Sequence, residues 1–186
     1  INEAQRCAKI VKGLLDFSRE SIPQKKPVSL NTIMEATLTL IGRQSSFHNI
    51  EIIRDYEPDL PLISIDENQM EQVFINILLN ASQSMPGSGS ITIKTYTEDE
   101  EYACIKITDT GAGISEENLG KIFDPFFTTK SDKGMGLGLS VSYGIVERHG
   151  GKIEVQSKLS EGTTFTITLP LRPQGKETLA ASSPAN

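Results

Sequence analysis

Two pairs of segments with alternating apolar and polar residues constrain the fold of this chain more than any other feature. ITIKTYT (91–97) and YACIKITD (102–109) flank the acidic turn EDEE, while KIEVQS (152–157) and TTFTITLP (163–170) flank a turn at Glu161 and Gly162. Such alternation, interrupted by turn residues, predicts two antiparallel β-hairpins. Helical patterns stand before and between them, so we predict an α+β two-layer sandwich in which a mixed, mostly antiparallel sheet carries helices on one face.

Apolar residues spaced three and four apart predict the helices. They cover residues 3–20, residues 30–43, a segment from the N-cap Asp66 to Met85, and Leu139 to about His149. Residues 50–56 and the short piece 62–65 are predicted as strands. A lone helix such as 3–20 is marginal in water, so we interpret residues 1–22 as half of a helical hairpin whose other half is missing. Residues 171–186 have the composition of a disordered tail.

Charge and composition narrow the class of protein. The 186 residues carry a net charge of -6 with a pI near 5.0, which argues against nucleic acid as a partner. No apolar run approaches the roughly 20 residues of a membrane-spanning helix. The two cysteines, Cys7 and Cys104, have no CxxC spacing and suggest a reducing compartment. We therefore expect these residues to lie in the cytoplasm.

A stripe of amide side chains follows the helix that begins at Asp66. Asn76 and Asn80 are four residues apart, and Gln72 precedes them by one turn. Exposed helix faces are usually Glu, Lys or Arg, because Asn is a poorer helix former. An amide oxygen is a hard, neutral ligand, and Mg²⁺ takes one or two such protein oxygens beside substrate phosphates. Asn80 is thus a candidate metal ligand, and a merely solvated face is the alternative.

Asp109 lies on the apolar face of its strand. With a period of two, it points in the same direction as Ala103, Ile105 and Ile107. An Asp before a TGAG turn is also common for turn reasons alone. A partly buried carboxylate needs hydrogen-bond donors, and the exocyclic amine of a purine would supply one.

The stretch FDPFFTTKSDKGMGLGLS (123–140) predicts a mobile flap. Phe123, Phe126 and Phe127 are expected to anchor its base by packing, and its glycines to provide hinges and exposed N–H groups. A helix follows at once, and a helix N-terminus suits phosphate. The run is neither GxxxxGK[ST] nor GxGxxG, so it is not a standard nucleotide loop. We expect residues 119–134 to become ordered over a triphosphate.

Five motifs together resemble the catalytic domain of sensor histidine kinases. NILLNASQSM, DTGAGI, FDPFF, GMGLGLS and GTTF are similar, in order and spacing, to the asparagine box, first glycine box, phenylalanine box, second glycine box and closing threonine motif of that family. FTTK with NASQSM is most similar to the nitrogen-regulation branch, and RCAKIVKGLLDFSRE resembles the second helix of the dimerisation hairpin. The resemblance covers residues 28–170 and implies a Bergerat ATP-binding fold over residues 23–170.

The resemblance implies ATP and Mg²⁺ as ligands and a role for each motif residue. Asn80 corresponds to the metal ligand, Asn76 to a phosphate or metal-shell contact, and Asp109 to the acceptor of the adenine amine. Asn76 and Lys130 are the residues implied in transfer. The nucleotide-binding set is Asn76, Asn80, Gln83, Asp109, Gly111, Gly113, Ile114, Phe127, Thr128, Thr129, Lys130, Gly134, Met135, Gly136, Leu137, Gly138, Leu139 and Thr163. The family also implies a homodimer and a response-regulator receiver domain as partner, with possible membrane anchoring of a longer protein.

Departures from the family pattern limit what the chain can do alone. Gln83 stands where many kinases carry Lys. The acceptor histidine of the family lies in an H-E/D box, and neither His48 nor His149 has that context; both are expected to be structural. Hydrolysing ATPases of the same fold place a Glu general base at the position of Asn76, so hydrolysis should be slow. A same-fold serine kinase, or an ATP-binding module without transfer, remains the alternative.

Overall fold

A computed structural model describes residues 23–129 and 135–172. The predicted helix at 3–20 with Cys7, the flap residues 130–134, and the tail from residue 173 lie outside the described residues. The proposed domain boundaries at residues 22 and 170 therefore stay predictions.

Five strands form the main sheet and confirm its predicted mixed character. In chain order they are β2 (Ile50–Tyr56), β4 (Gly89–Glu98), β5 (Tyr102–Asp109), β6 (Lys152–Lys158) and β7 (Gly162–Pro170). Their spatial order is β2-β4-β5-β7-β6, with β2 parallel to β4 and the other pairs antiparallel. The first hairpin turns through Asp99, Glu100 and Glu101, and the first two of these have positive φ.

Three longer helices cover one face of this sheet. They are α1 (Leu30–Ile41), α2 (Glu67–Ser84) and α4 (Gly138–Arg148), and the unpredicted α3 (Glu116–Leu119) is a single turn. The Asp66 carboxylate accepts a hydrogen bond from the Gln69 N–H at 3.1 Å, confirming the predicted N-cap. Helix α1 ends two residues before the predicted limit, because the backbone is extended again at Gln44.

The core lies between the helices and the sheet. All apolar positions predicted along α2 are buried, as are the inward residues of β4, β5 and β7. Full burial of a side chain such as Ile77 or Phe74 stabilises the fold by about 1.5–3 kcal/mol. The predicted two-layer arrangement is confirmed, and Cys104, also buried, is a free thiol.

A small second sheet holds the first described residues against the rest of the fold. Strand β1 (Lys26–Val28) pairs antiparallel with β3 (Ile63–Ile65). Beside it, the Gln24 N–H donates to the Asp66 carboxylate at 2.9 Å, and the Lys25 ammonium donates to the Arg148 carbonyl at 2.9 Å. The segment that follows the predicted hairpin is therefore attached to the start of α2 and the end of α4.

Candidate functional site

A large cavity opens between α2, α4 and the inner face of the sheet. Its volume is about 570 Å³, within the range of roughly 300–1,000 Å³ typical of small-molecule sites. It is lined by Gln72, Asn76, Leu79, Asn80, Ala81, Gln83, Ser84, Asp109, Gly113, Ile114, Asn118, Ile122, Phe127, Thr128, Thr129, Met135, Gly136, Leu137, Gly138, Leu139, Val141, Thr163 and Phe165. A smaller cavity of about 250 Å³ lies beside α1 and β2, but its one charged group, Arg54, is paired with Glu35.

Asp109 forms one end of the large cavity. It is the last residue of β5 and is 4% exposed. Its Oδ1 accepts hydrogen bonds from the Gly111 N–H at 2.8 Å and from the Ser84 hydroxyl at 3.2 Å. Thr163 is its register partner on β7, and the Ser157 hydroxyl lies 2.9 Å from that of Thr163. A buried acceptor group is thus held at the end of the sheet, as the alternation predicts.

The two glycines of the TGAG turn are required by packing. A Cβ on Gly111 would lie 1.9 Å from the Ser84 hydroxyl oxygen, and one on Gly113, where φ is +71°, would lie 2.1 Å from the Lys158 carbonyl oxygen. Gly113 lines the cavity, whereas Gly111 lies behind Asp109 and does not. For Gly111 the structure gives a packing reason, because the Ser84 hydroxyl fills the space beside it.

The amide stripe of α2 faces the cavity and also holds α4. The Asn76 amide donates to the Gly138 carbonyl at 3.0 Å and to the Ser142 hydroxyl at 3.2 Å. Asn80 and Gln83 line the cavity farther along the helix, toward Asp109. These contacts give Asn76 a structural role at the first turn of α4, in addition to the phosphate role that the resemblance implies.

The described part of the flap forms the remaining wall. The Phe126 N–H donates to the Gly136 carbonyl at 2.9 Å, which brings the two sides of the flap together. Phe123 and Phe127 pack against the core as predicted. Phe126 does not, because its φ of 68° turns the ring outward and leaves it 59% exposed. Lys130 and Gly134 lie outside the described residues.

Eight cavity residues were absent from the predicted set. They are Gln72, Leu79, Ala81, Ser84, Asn118, Ile122, Val141 and Phe165. Helical spacing could have identified Ser84, which continues the i, i+4 series through Asn76 and Asn80. Phe165 follows Thr163 on the same strand face. Asn118 lies in the single turn α3 and Ile122 in the turn that follows, and no periodicity predicts the path of that segment.

The histidines have the structural positions expected of them. His48 is exposed in a loop, and His149 is buried at the end of α4. Neither lines the cavity. In the described ranges, no group of three or more His, Cys, Asp or Glu side chains could hold a metal ion. None of the helices in residues 23–129 and 135–172 is both long and apolar enough to cross a membrane.

Comparisons with known proteins agree with this geometry. Over 179 residues, 96% of the chain, it is 39% identical to the signal transduction histidine-protein kinase AtoS of Escherichia coli, of which the match covers 29%. Over 176 residues, 95% of the chain, it is 37% identical to sporulation kinase E of Bacillus subtilis, of which the match covers 24%. The chain thus spans about a quarter of the length of these two relatives.

Solved structures share the fold. The histidine kinase ThkA, in complex with the response regulator protein TrrA, superposes with a TM-score of 0.78 at 28% identity, covering 94% of this chain and 50% of that one. Full-length ShkA in complex with AMPPNP gives a TM-score of 0.79 at 23% identity, covering 92% of this chain and 37% of that one. The predicted Bergerat fold is confirmed.

The family model described as "Histidine kinase-, DNA gyrase B-, and HSP90-like ATPase" matches residues 65–173. That range begins one residue before the cap of α2 and contains every residue that lines the large cavity. Because the match extends over the whole site and over more than half of the sequence, this chain belongs to the histidine kinase-, DNA gyrase B- and HSP90-like ATPases.

Proposed function

We propose that this chain is the ATP-binding catalytic domain of a sensor histidine kinase. It transfers the γ-phosphoryl group of Mg-ATP to a histidine on a dimerisation hairpin, for relay to an aspartate of a response regulator. The observation that carries the proposal is the polarity of the cavity, with a buried acceptor, Asp109, at one end and amides beside a helix N-terminus at the other. The names of the two kinases reported above support the same reaction.

The base of ATP binds at Asp109 in this proposal. The exocyclic amine of adenine donates to the carboxylate, and Thr163 on the neighbouring strand adds a polar group beside it. Apolar side chains of the lining, including Leu79, Ile122 and Phe165, provide surfaces for the ring. This combination of apolar walls with a few fixed polar groups is typical of small-molecule sites.

The phosphates extend toward the first turn of α4. Exposed N–H groups of a helix N-terminus favour anions, and Asn76 holds that turn through the Gly138 carbonyl. Asn80 offers the neutral amide oxygen that Mg²⁺ accepts together with phosphate oxygens, so the donor set fits one protein ligand. When bound, the metal would neutralise charge on the phosphates. Lys130 is proposed to add positive charge from the flap.

Transfer of the labelled γ-phosphoryl group from ATP to a protein histidine tests the proposal. The full chain is incubated with γ-labelled ATP and a separately produced hairpin that carries the family's acceptor histidine. We expect acid-labile label on the hairpin with the native chain, and none with Asn80→Ala or Asn80→Asp, which disturb the metal. Asn80→Ala should retain much of the affinity for adenosine, because Asp109 is unchanged.

The exposed Asn49, in the loop before β2, provides the control. Asn49→Ala should transfer label as the native chain does. Label on serine would favour the serine kinase alternative, and ATP binding without transfer to the hairpin would favour a nucleotide-binding module.

The setting of the whole protein belongs to the same proposal. Residues 1–22 supply part of the dimerisation hairpin, residues 23–170 bind ATP in the cytoplasm, and a receiver domain takes the phosphoryl group. The ThkA structure, which holds the response regulator TrrA, supports that kind of partner.

A further inference from the structure

Ser84 occupies an unusual position between the end of a helix and the floor of the cavity. It is the last residue of α2 and lines the cavity. Its hydroxyl lies 2.8 Å from the Ala81 carbonyl and 3.2 Å from Asp109 Oδ1. Both partners are acceptors, so the one proton of the Ser84 hydroxyl is shared between the helix end and the buried carboxylate.

The surroundings hold Ser84 in this place. The Ala112 N–H donates to the Ser84 carbonyl at 3.0 Å, which ties the TGAG turn to the helix end. The absence of a side chain at Gly111 leaves the space that the hydroxyl fills, since a Cβ there would lie 1.9 Å from the hydroxyl oxygen. The serine, the glycine and the carboxylate thus form one packed unit.

Two donors meet on the same carboxylate oxygen. Asp109 Oδ1 accepts from the Gly111 N–H at 2.8 Å as well as from Ser84. The terminal torsion of an Asp side chain is broad, and each hydrogen bond that the carboxylate accepts narrows it. A second donor, from a different element, restricts that rotation and therefore the direction in which the group accepts.

We propose that Ser84 is a positioning residue for base selection. Its hydroxyl orients Asp109 toward the amine of a 6-aminopurine and thereby raises the preference for adenine over purines that lack this amine. This rests on the proposed function, in which Asp109 accepts from the base. Ser84 acts only through Asp109.

Ser82 provides a matched control two residues earlier on the same helix. Its hydroxyl makes the same kind of bond to a preceding carbonyl, that of Leu79, at 3.0 Å, but Ser82 does not line the cavity. Loss of a serine hydroxyl from α2 can therefore be separated from loss of the contact with Asp109.

The experiment compares two nucleotides by calorimetry on the full chain. One is ATP, and the other is purine riboside triphosphate, which carries hydrogen in place of the amine. We expect Ser84→Ala to lower the ratio of the two affinities about threefold to tenfold, the value of an ordinary hydrogen bond, because the Ser84 proton is shared with the Ala81 carbonyl. Ser82→Ala should leave the ratio unchanged. In an Asp109→Asn background, Ser84→Ala should have little further effect, because the two residues act as one unit.

The outcomes separate this inference from the proposed function. A native chain that does not distinguish the two nucleotides would overturn the assignment of Asp109 itself. A native chain that does distinguish them, with the same ratio in Ser84→Ala, would overturn the positioning role only. Equal weakening of both nucleotides would show that Ser84 merely supports the fold. If Ser84→Ala does not fold, Ser84→Cys, which keeps the volume but is a weak donor, carries the same comparison.

Discussion

At the scale of single residues, the proposed binding of ATP depends most on Asp109. Replacing it with Asn exchanges one acceptor oxygen for a donor and removes the charge. We expect Asp109→Asn to weaken ATP binding about tenfold to a hundredfold, because a charge-assisted hydrogen bond is worth roughly 1.5–3 kcal/mol. Calorimetry measures this, with Asp55→Asn, a surface residue paired with Lys94, as the control. Unchanged affinity in Asp109→Asn would contradict the assignment.

The same residue shows what sequence can and cannot predict at this scale. Strand periodicity placed Asp109 correctly on the inner face, because side chains of a strand alternate strictly. Helical spacing places Ser84 on the same stripe as Asn76 and Asn80, but its contact with Asp109, 25 residues away, is recorded in no local pattern. Phe126 was predicted to pack, but a backbone φ of 68° sends it outward. A left-handed conformation is unusual for a bulky residue and cannot be predicted from composition.

At the scale of elements, the end of α4 and the start of α2 meet at His149. The Asp66 N–H donates to His149 Nε2 at 2.9 Å, and His149 Nδ1 lies 2.8 Å from the Ile145 carbonyl, so the ring is neutral with its proton on Nδ1. Burial lowers the pKa of His149, although the hydrogen bond to the Ile145 carbonyl and, to a smaller extent, the charge of Asp66 oppose this. A charged ring would also lie at the positive end of the α2 dipole, with Lys25 and Arg148 nearby.

This junction predicts a pH dependence of stability. Because the pKa of His149 is lower in the folded chain than the usual value of about 6.5, its contribution is complete above that value and is lost as pH falls through the lowered pKa. Urea unfolding between pH 8 and about pH 5 measures it. We expect the free energy of unfolding of His149→Gln to depend less on pH than that of the native chain. His48→Gln, which changes a residue in an exposed loop, should keep the native pH dependence. A native slope retained in His149→Gln would refute the role.

The helices and strands differed in how well the sequence predicted them. The hairpins and α2 were predicted almost to the residue, because each has a strong period and a turn or cap at its ends. Strand β1 was not, since Lys26 and Pro27 suggest a loop and its pairing with β3 forms across 35 residues or more of chain. Local propensity is a weak guide where tertiary contacts decide.

At the scale of the whole molecule, the two layers place different functional groups at the two ends of the cavity. The sheet presents the buried acceptor Asp109, while α2 and α4 present amides and backbone groups. Asp109 is the one carboxylate among the residues that line the described part of the cavity. It is held at the base end by Gly111 and Ser84, away from the first turn of α4, where Asn76 donates rather than accepts. In the described part of the cavity, no carboxylate lies near that turn to act as a base for water.

This arrangement predicts whether the γ-phosphoryl group of bound ATP is transferred mainly to water or to a protein histidine. A general base typically contributes about 100-fold to 10,000-fold, and water needs one, whereas a neutral imidazole attacks through its own lone pair. Apart from a base, phosphoryl transfer requires that the γ-phosphoryl group is positioned and that its negative charge is stabilised. Asn80 and the start of α4 can supply both. We therefore expect slow release of free phosphate from ATP by the chain alone, and faster labelling of an added hairpin that bears the acceptor histidine. Counting free and protein-bound label in one reaction measures both. Brisk phosphate release that is indifferent to the hairpin would identify a hydrolysing ATPase instead, and would require a base that the described cavity does not place near Asn76.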